Sequence, residues 1–202
     1  MGCAISGSGL TPRTQEIRNT EDADGPARLT PRHIHLIQES WKVIQEDIAK
    51  VGIIMFVRLF ETHPECKDVF FLFRDVEDLE RLRTSRELRA HGLRVMSFIE
   101  KSVARLDQLE RLQTLALELG KSHYRYNAPP KYYGYVGAEF ICAVQPILKD
   151  RWTAELETAW KTLFQFVTGI MKDGYLEEEN TKRNLTLTSS SKERPDKRNT
   201  MI

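Results

Sequence analysis

An all-helical fold is predicted by the spacing of apolar residues, by the lack of strand patterns and by the composition of the chain. Between about residues 29 and 174, apolar residues recur every three or four positions, the period of a helix buried on one face. No segment alternates apolar and polar residues as a half-buried strand does, and no internal repeat is visible. The 202 residues are 41% hydrophobic and 29% charged, which suits one globular domain with tails.

The first two helices have recognisable boundaries. Thr30 is a good N-cap and Pro31 fits the first helical position, so a helix is predicted to begin there and to run to about Asp47. A second helix is predicted from about Lys50 to a point near Pro64, because the residue before a proline is pushed out of helical geometry.

A short aromatic cluster, residues 70–73, follows in a connecting segment. Thr84 and Glu87 then have the spacing of a capping box, which predicts the start of a long helix. His91 lies beside the apolar face of this helix. That face is formed by Leu88, Gly92, Val95, Ile99 and Val103.

The next predicted helix carries a histidine where its period requires an apolar residue. Leu112, Ala116 and Leu119 lead in steps of four and three to His123. Pro129 and Pro130 follow this helix, and two longer helices are predicted over residues 132–149 and 153–172. The last has an apolar face of Leu156, Trp160, Leu163, Val167 and Ile170.

Composition also limits the partners of the chain. Residues 1–28 and 175–202 lack an apolar period and are predicted to be polar, disordered tails around a domain of residues 29–174. Thirty basic against 29 acidic residues give a net charge of +1, which argues against nucleic acid as a partner. No apolar run reaches the ~18 residues of a membrane span, and no secretory signal is visible, so we expect the protein on the cytosolic side. Three cysteines without metal-type spacing indicate neither a zinc site nor a disulfide framework.

Two histidines on consecutive apolar helices indicate a metal-bound cofactor. Imidazole is a common ligand of haem iron, and rigid helices with apolar faces would both aim the nitrogen and cover the porphyrin. The sequence therefore predicts haem between His91 and His123. The alternative is that each is a core histidine bonded to a backbone carbonyl.

Residues 29–174 resemble the globin family, in particular cytoglobin and neuroglobin. The likeness is carried by Ser40-Trp41, Leu59-Phe60, Pro64, Phe70 with Phe73, Leu88 to His91, Arg94 to Met96, and Leu119 to His123. It implies a globin fold of about eight helices around one haem b. In that fold His123 is the proximal ligand and His91 the distal histidine.

The resemblance implies further haem contacts. Phe70 corresponds to the phenylalanine that stacks on haem, and Arg94 and Ser122 match positions that reach the propionates, although Arg94 is equally consistent with a solvated face residue. The full implied set is Phe56, Phe70, Phe73, Val95, Arg94, Leu119 and Ser122. In a globin, Cys66 and Cys142 also lie on neighbouring elements. They are expected to form a reversible disulfide or to remain two free thiols.

The chain begins Met-Gly-Cys-Ala-Ile-Ser, which matches the N-myristoylation pattern. With this start it resembles globin X, a membrane-associated group of animal globins. One myristoyl chain on Gly2 gives only marginal binding, and residues 1–28 hold three arginines against four acidic residues, so we expect palmitate on Cys3 as the second anchor. The expected location is the cytoplasmic face of the plasma membrane, with its lipids as partners. The alternative is a chance motif with an exposed cysteine.

The resemblance implies binding of O2, NO or CO at iron held by two histidines. Acylation favours a redox or signalling role at the membrane, through nitrite reduction, NO chemistry including NO dioxygenase activity, or electron transfer with an unidentified redox partner. The alternative is oxygen storage or transport without a catalytic role. A haem-free sensor is disfavoured because His123 is present.

Overall fold

Residues 28–191 are described in a computed structural model and are helical along most of their length. The seven α-helices of this range are α1 Pro31–Ile44, α2 Ile48–Thr62, α3 Leu79–Arg83, α4 Arg86–Val103, α5 Leu109–Arg125, α6 Tyr133–Leu148 and α7 Ala154–Ser191. Short 3-10 helices and turns connect them, and the range contains no strand. The all-helical prediction is confirmed. Within the described range, none of the helices has the length and apolar character needed to cross a membrane.

Side-chain caps begin several of the helices, including α1 and α4. The hydroxyl of Thr30 accepts a hydrogen bond from the His33 amide at 3.1 Å and Pro31 occupies the first turn, as the sequence predicts. The cap of α4 is Ser85 and not Thr84: the Ser85 hydroxyl accepts from the Leu88 amide at 3.2 Å and donates to the Glu87 carboxylate at 2.9 Å. Thr84 is instead the C-cap of α3, which leaves the next residue to begin α4.

Glycines allow α2 and α4 to touch through their backbones. A Cβ atom on Gly52 would lie 3.0 Å from the backbone of Gly92, and a Cβ on Gly92 would lie 3.0 Å from that of Gly52. Larger residues at either point would push the helices apart. This close crossing brings the turn that carries His91 against α2.

Buried aromatic residues join the first and last helices. The rings of Trp41 and Trp160 lie 6.4 Å apart, and Phe140 of α6 packs 4.9 Å from Trp160. The indole N–H of Trp160 donates to the Ser40 hydroxyl at 3.1 Å, so the polar atom of this buried tryptophan is satisfied. The core therefore lies between α1, α6 and α7 at this end of the molecule.

A buried carboxylate ties α2 to α6. Glu139 is 5% exposed and accepts hydrogen bonds from Arg58 Nε at 2.8 Å and from the Thr62 hydroxyl at 2.9 Å. Both oxygens have a donor, which offsets much of the cost of burying the charge.

The last helix is longer than the sequence predicts. Its expected end is at residue 172 with a polar tail from 175, but α7 continues to Ser191. Residues just past the expected end pack on α5: the Tyr175 ring lies 5.2 Å from that of Tyr124, and Glu178 pairs with Arg125 at 3.1 Å. These tertiary contacts stabilise the start of the polar extension of α7, which has no apolar period of its own.

Candidate functional site

A cavity of about 690 Å³ lies between α4 and α5. Residues of α2, α6 and α7 and of the segments that follow α2 and α5 complete its wall, and most of the lining is apolar. The volume lies within the ~300–1,000 Å³ of pockets that take small molecules and cofactors. His91 and His123 both line this cavity, from different helices.

His123 is held in one tautomer by its own helix. Its Nδ1 lies 2.8 Å from the carbonyl oxygen of Leu119, one turn earlier. A carbonyl can only accept, so Nδ1 carries the proton and Nε2 keeps a free lone pair. Burial lowers the pKa of His123, partly opposed by this hydrogen bond, and the ring also meets the edge of Tyr133 at 5.2 Å.

His91 lies between two phenylalanine rings. Its ring contacts Phe56 at 4.8 Å and Phe70 at 5.2 Å, both edge to face. Burial, followed by the positive charge of Arg94 and by His123, lowers the pKa of His91 to about 4. The imidazole is therefore neutral at pH 7, the form in which it can bind a metal.

The two imidazoles are suited to a metal whose other ligands come from a bound cofactor and not from the protein. Within residues 28–191, no cluster of three or more His, Cys, Asp or Glu side chains could hold a bare ion. Two neutral imidazoles on a large apolar cavity instead suit a metal in a planar macrocycle, whose ring supplies the remaining ligands. The residues present thus fit a haem group.

The family comparison agrees with this geometry. Residues 54–171, which include both histidines and most of the cavity wall, match the family model described as Globin. The chain belongs to the globin family. Membership implies a haem group and small gaseous ligands such as O2.

Known globins resemble this one along most of the chain. It is 30% identical to neuroglobin-1 of Oncorhynchus mykiss over 148 residues, 73% of this chain and 93% of the relative. It is 28% identical to cytoglobin-2 of Danio rerio over 152 residues, 75% of this chain and 85% of the relative. The crystal structure of a hexacoordinated haem protein from an anhydrobiotic tardigrade superposes with a TM-score of 0.68 at 24% identity, covering 73% of this chain and 95% of that one. This last likeness confirms the globin fold.

The cavity wall of this globin contains every haem contact expected from the sequence. Phe56 and Phe73 are buried, while Phe70, Val95 and Leu119 are half-buried. All seven expected residues line the cavity: Phe56, Phe70, Phe73, Arg94, Val95, Leu119 and Ser122. Their contacts with haem stay a prediction.

The two polar residues of that set have other neighbours in the structure. Arg94 is exposed, and its Nη2 lies 3.5 Å from His91 Nδ1, the outer limit of a hydrogen bond. The Ser122 hydroxyl donates to the Glu118 carbonyl at 3.0 Å. Both side chains line the cavity.

Cys66 and Cys142, the cysteines of the described range, are both free thiols. Cys66 is buried and Cys142 is exposed, and neither forms the disulfide that was one of the two expectations. Gly2 and Cys3, the expected acylation sites, lie outside the described residues.

Sequence reasoning missed part of the cavity wall. Met171 lines the cavity with Leu163 and Val167 of the same helix, whereas the expected face ended at Ile170, which is only half-buried. The four-residue steps from Leu163 to Val167 to Met171 were a usable signal. Tyr133 was also missed, because its role depends on where α6 packs rather than on its own period.

Proposed function

We propose that this globin holds one haem b between His123 and His91, with both imidazoles as iron ligands in the gas-free state. The observation that carries the proposal is the pair of neutral imidazoles lining one apolar cavity from different helices. His123, whose Nδ1–H is bonded to the Leu119 carbonyl, has Nε2 available as the proximal ligand.

Each neighbouring group has a defined role in this proposal. His91, between Phe56 and Phe70, is the distal ligand and must leave before a gas can bind. The guanidinium of Arg94 and the Ser122 hydroxyl, at the cavity wall, would bind the propionates. Bound haem would supply an iron centre for O2, NO or CO and for one-electron chemistry.

Histidine variants of the haem-loaded protein test the assignment. We expect His123→Ala to weaken haem binding by more than about 100-fold, because even loss of an outer-shell partner of a metal ligand costs about 10–100-fold. His91→Ala should keep haem, give a five-coordinate absorption spectrum and take up O2 and NO faster. The measurements are haem titration, absorption spectra and rapid mixing.

His35→Ala is the matched control, because His35 is exposed on α1 and does not line the cavity. Its haem affinity and spectrum should equal those of the unaltered protein. Unchanged haem affinity in His123→Ala would contradict the proximal assignment. A five-coordinate spectrum of the unaltered protein would contradict the distal one.

We further propose that the protein carries myristate on Gly2 and palmitate on Cys3, lies at the cytoplasmic face of the plasma membrane, and acts there in redox chemistry or signalling. The support is the Met-Gly-Cys start and the lack of a basic patch in residues 1–28. Nitrite reduction, NO chemistry or electron transfer would suit such a site, and oxygen storage is the second candidate. Rapid mixing of the reduced protein with nitrite and with O2 separates them: the redox role predicts rapid oxidation of the iron by nitrite, whereas the storage role predicts reversible O2 binding with slow oxidation.

A further inference from the structure

Two glycines bring α5 and α7 into backbone contact beside His123. A Cβ atom on Gly120 would lie 2.0 Å from the carbonyl oxygen of Met171, and a Cβ on Gly174 would lie 2.1 Å from that of Leu117. Real Cβ contacts are essentially never under 3.0 Å, so any other residue at either point would force the helices apart. Gly120 lies one helical turn before His123.

Side chains extend this crossing along the same turn of α5. The Tyr124 and Tyr175 rings meet edge to face at 5.2 Å. Lys121 lies 3.4 Å from the Glu177 carboxylate, and Arg125 lies 3.1 Å from that of Glu178. The contacts therefore come from positions 117, 120, 121, 124 and 125, which share one face of α5 and flank His123 along the chain.

We propose that residues 171–178 of α7 are a positioning clamp for the α5 turn that carries His123. The clamp fixes the position of this turn along the α5 axis and its rotation about that axis. The proposal rests on the proposed role of His123 as an iron ligand. A metal ligand has to be held within roughly 0.5 Å and 10–20° of its productive geometry. Backbone contact between helices meets this requirement better than side-chain contact, because it has no rotamer freedom.

Most of the clamp lies beyond the part of the chain that matches the family model. That match ends at residue 171, and the contacts of Gly174, Tyr175, Glu177 and Glu178 all follow it. The continuation of α7 to Ser191 has a role in this proposal, because it keeps the clamp residues helical and in register with α5.

The first test compares two identical substitutions on one helix. In Gly174→Ala the new methyl group would meet the Leu117 carbonyl, whereas Gly169→Ala is the matched control because nothing lies within 4 Å of a Cβ there. In the haem-free protein, amide hydrogen exchange of residues 118–125 should accelerate in Gly174→Ala and not in Gly169→Ala. In the haem-loaded protein, haem transfer to an excess of a scavenging apoglobin should be about tenfold faster in Gly174→Ala, equivalent to about 1.4 kcal/mol.

A spectroscopic readout separates positioning from general destabilisation. In a His91→Ala background, the iron–histidine stretching band should shift in Gly174→Ala and stay unchanged in Gly169→Ala. Arg125→Glu should shift the band in the same direction, and the exchanged pair Arg125→Glu with Glu178→Arg should restore it. The charge variants keep the test decisive if Gly174→Ala does not fold.

The outcomes distinguish the two proposals. Hydrogen exchange and a band position in Gly174→Ala equal to those of Gly169→Ala would overturn the clamp, as would failure of the exchanged pair to restore the band. If His123 is not the proximal ligand, the His123→Ala protein will instead bind haem as tightly as the unaltered protein. The hydrogen-exchange experiment needs no haem. It therefore tests the contact between α7 and α5 whether or not His123 is an iron ligand.

Discussion

Removal from water determines the chemical state of individual residues around the cavity. It keeps His91 and His123 neutral, and so leaves their nitrogens free to bind a metal. The same effect acts on Cys66, whose pKa rises to about 11 because of burial and the neighbouring charge of Glu65. Burial therefore favours the uncharged form of each of these groups at pH 7.

The two described cysteines should differ strongly in reactivity. A rise in the Cys66 pKa from 9.0 to about 11 lowers its thiolate fraction about a hundredfold at pH 8, since the thiolate is the reactive form. We expect iodoacetamide to label exposed Cys142 rapidly in the native protein and Cys66 only after unfolding. Peptide mass spectrometry after timed labelling measures both rates.

Denatured protein provides the control, because both thiols should then react at similar rates. Equal labelling of the two cysteines in the native protein would contradict the buried state of Cys66. A mass showing Cys66 linked to Cys142 would restore the disulfide expectation.

At the scale of elements, glycine contacts place both histidine-bearing helices. Gly52 and Gly92 join α2 to α4 next to His91, and Gly120 and Gly174 join α5 to α7 next to His123. In each case the backbone of one helix lies against that of the other. The two walls of the cavity are thus positioned by separate crossings.

A methyl group at the first crossing should be destabilising. We expect Gly52→Ala to lower the free energy of unfolding by about 1–3 kcal/mol, the usual cost of overpacking a close contact. The new Cβ would lie 3.0 Å from the Gly92 backbone, which belongs to a helix and can yield only with it. Urea unfolding of the haem-free protein measures the change.

Gly169→Ala again serves as the control, because the site has open space and alanine is the better helix former. It should raise the free energy of unfolding by up to ~1 kcal/mol. A Gly52→Ala protein as stable as this control would show that α2 and α4 do not need their close contact.

At the scale of the whole molecule, five helices and the segments that connect them enclose one cavity in the described residues. The helices α2, α4, α5, α6 and α7 supply most of the wall, and the connecting residues Phe70 and Phe73 supply another part of it. The N-terminal residues with the acylation pattern precede α1. Membrane attachment through this segment would leave the cavity-forming domain free to orient towards lipids or redox partners.

Cell fractionation tests the membrane proposal. We expect the unaltered protein in the membrane fraction, Gly2→Ala in the soluble fraction, and Cys3→Ser largely soluble, since one myristoyl chain gives a partition constant of only ~10⁴ M⁻¹. Cys142→Ser is the matched control, because it removes an exposed thiol far from the acylation motif in sequence.

Membrane retention of Gly2→Ala would contradict the lipid anchor. Retention of Cys3→Ser at the level of the control would contradict the need for a second chain. The two variants therefore test the two acyl groups separately.

The sequence by itself predicted six of the seven α-helices of the described range and placed the two histidines on apolar helix faces, but it did not predict the short α3. These features depend on local order: an apolar period within one helix, a threonine and proline at its start, and a histidine such as His123 on an apolar face. The tertiary structure alone decided the cap at Ser85, the free state of Cys66 and Cys142, and the extension of α7 to Ser191. It also decided the crossing of Gly174 with Leu117. The physical reason is that apolar periods and caps involve residues within a turn or two of one another. Burial and helix crossings instead depend on contacts between segments that are far apart in the sequence.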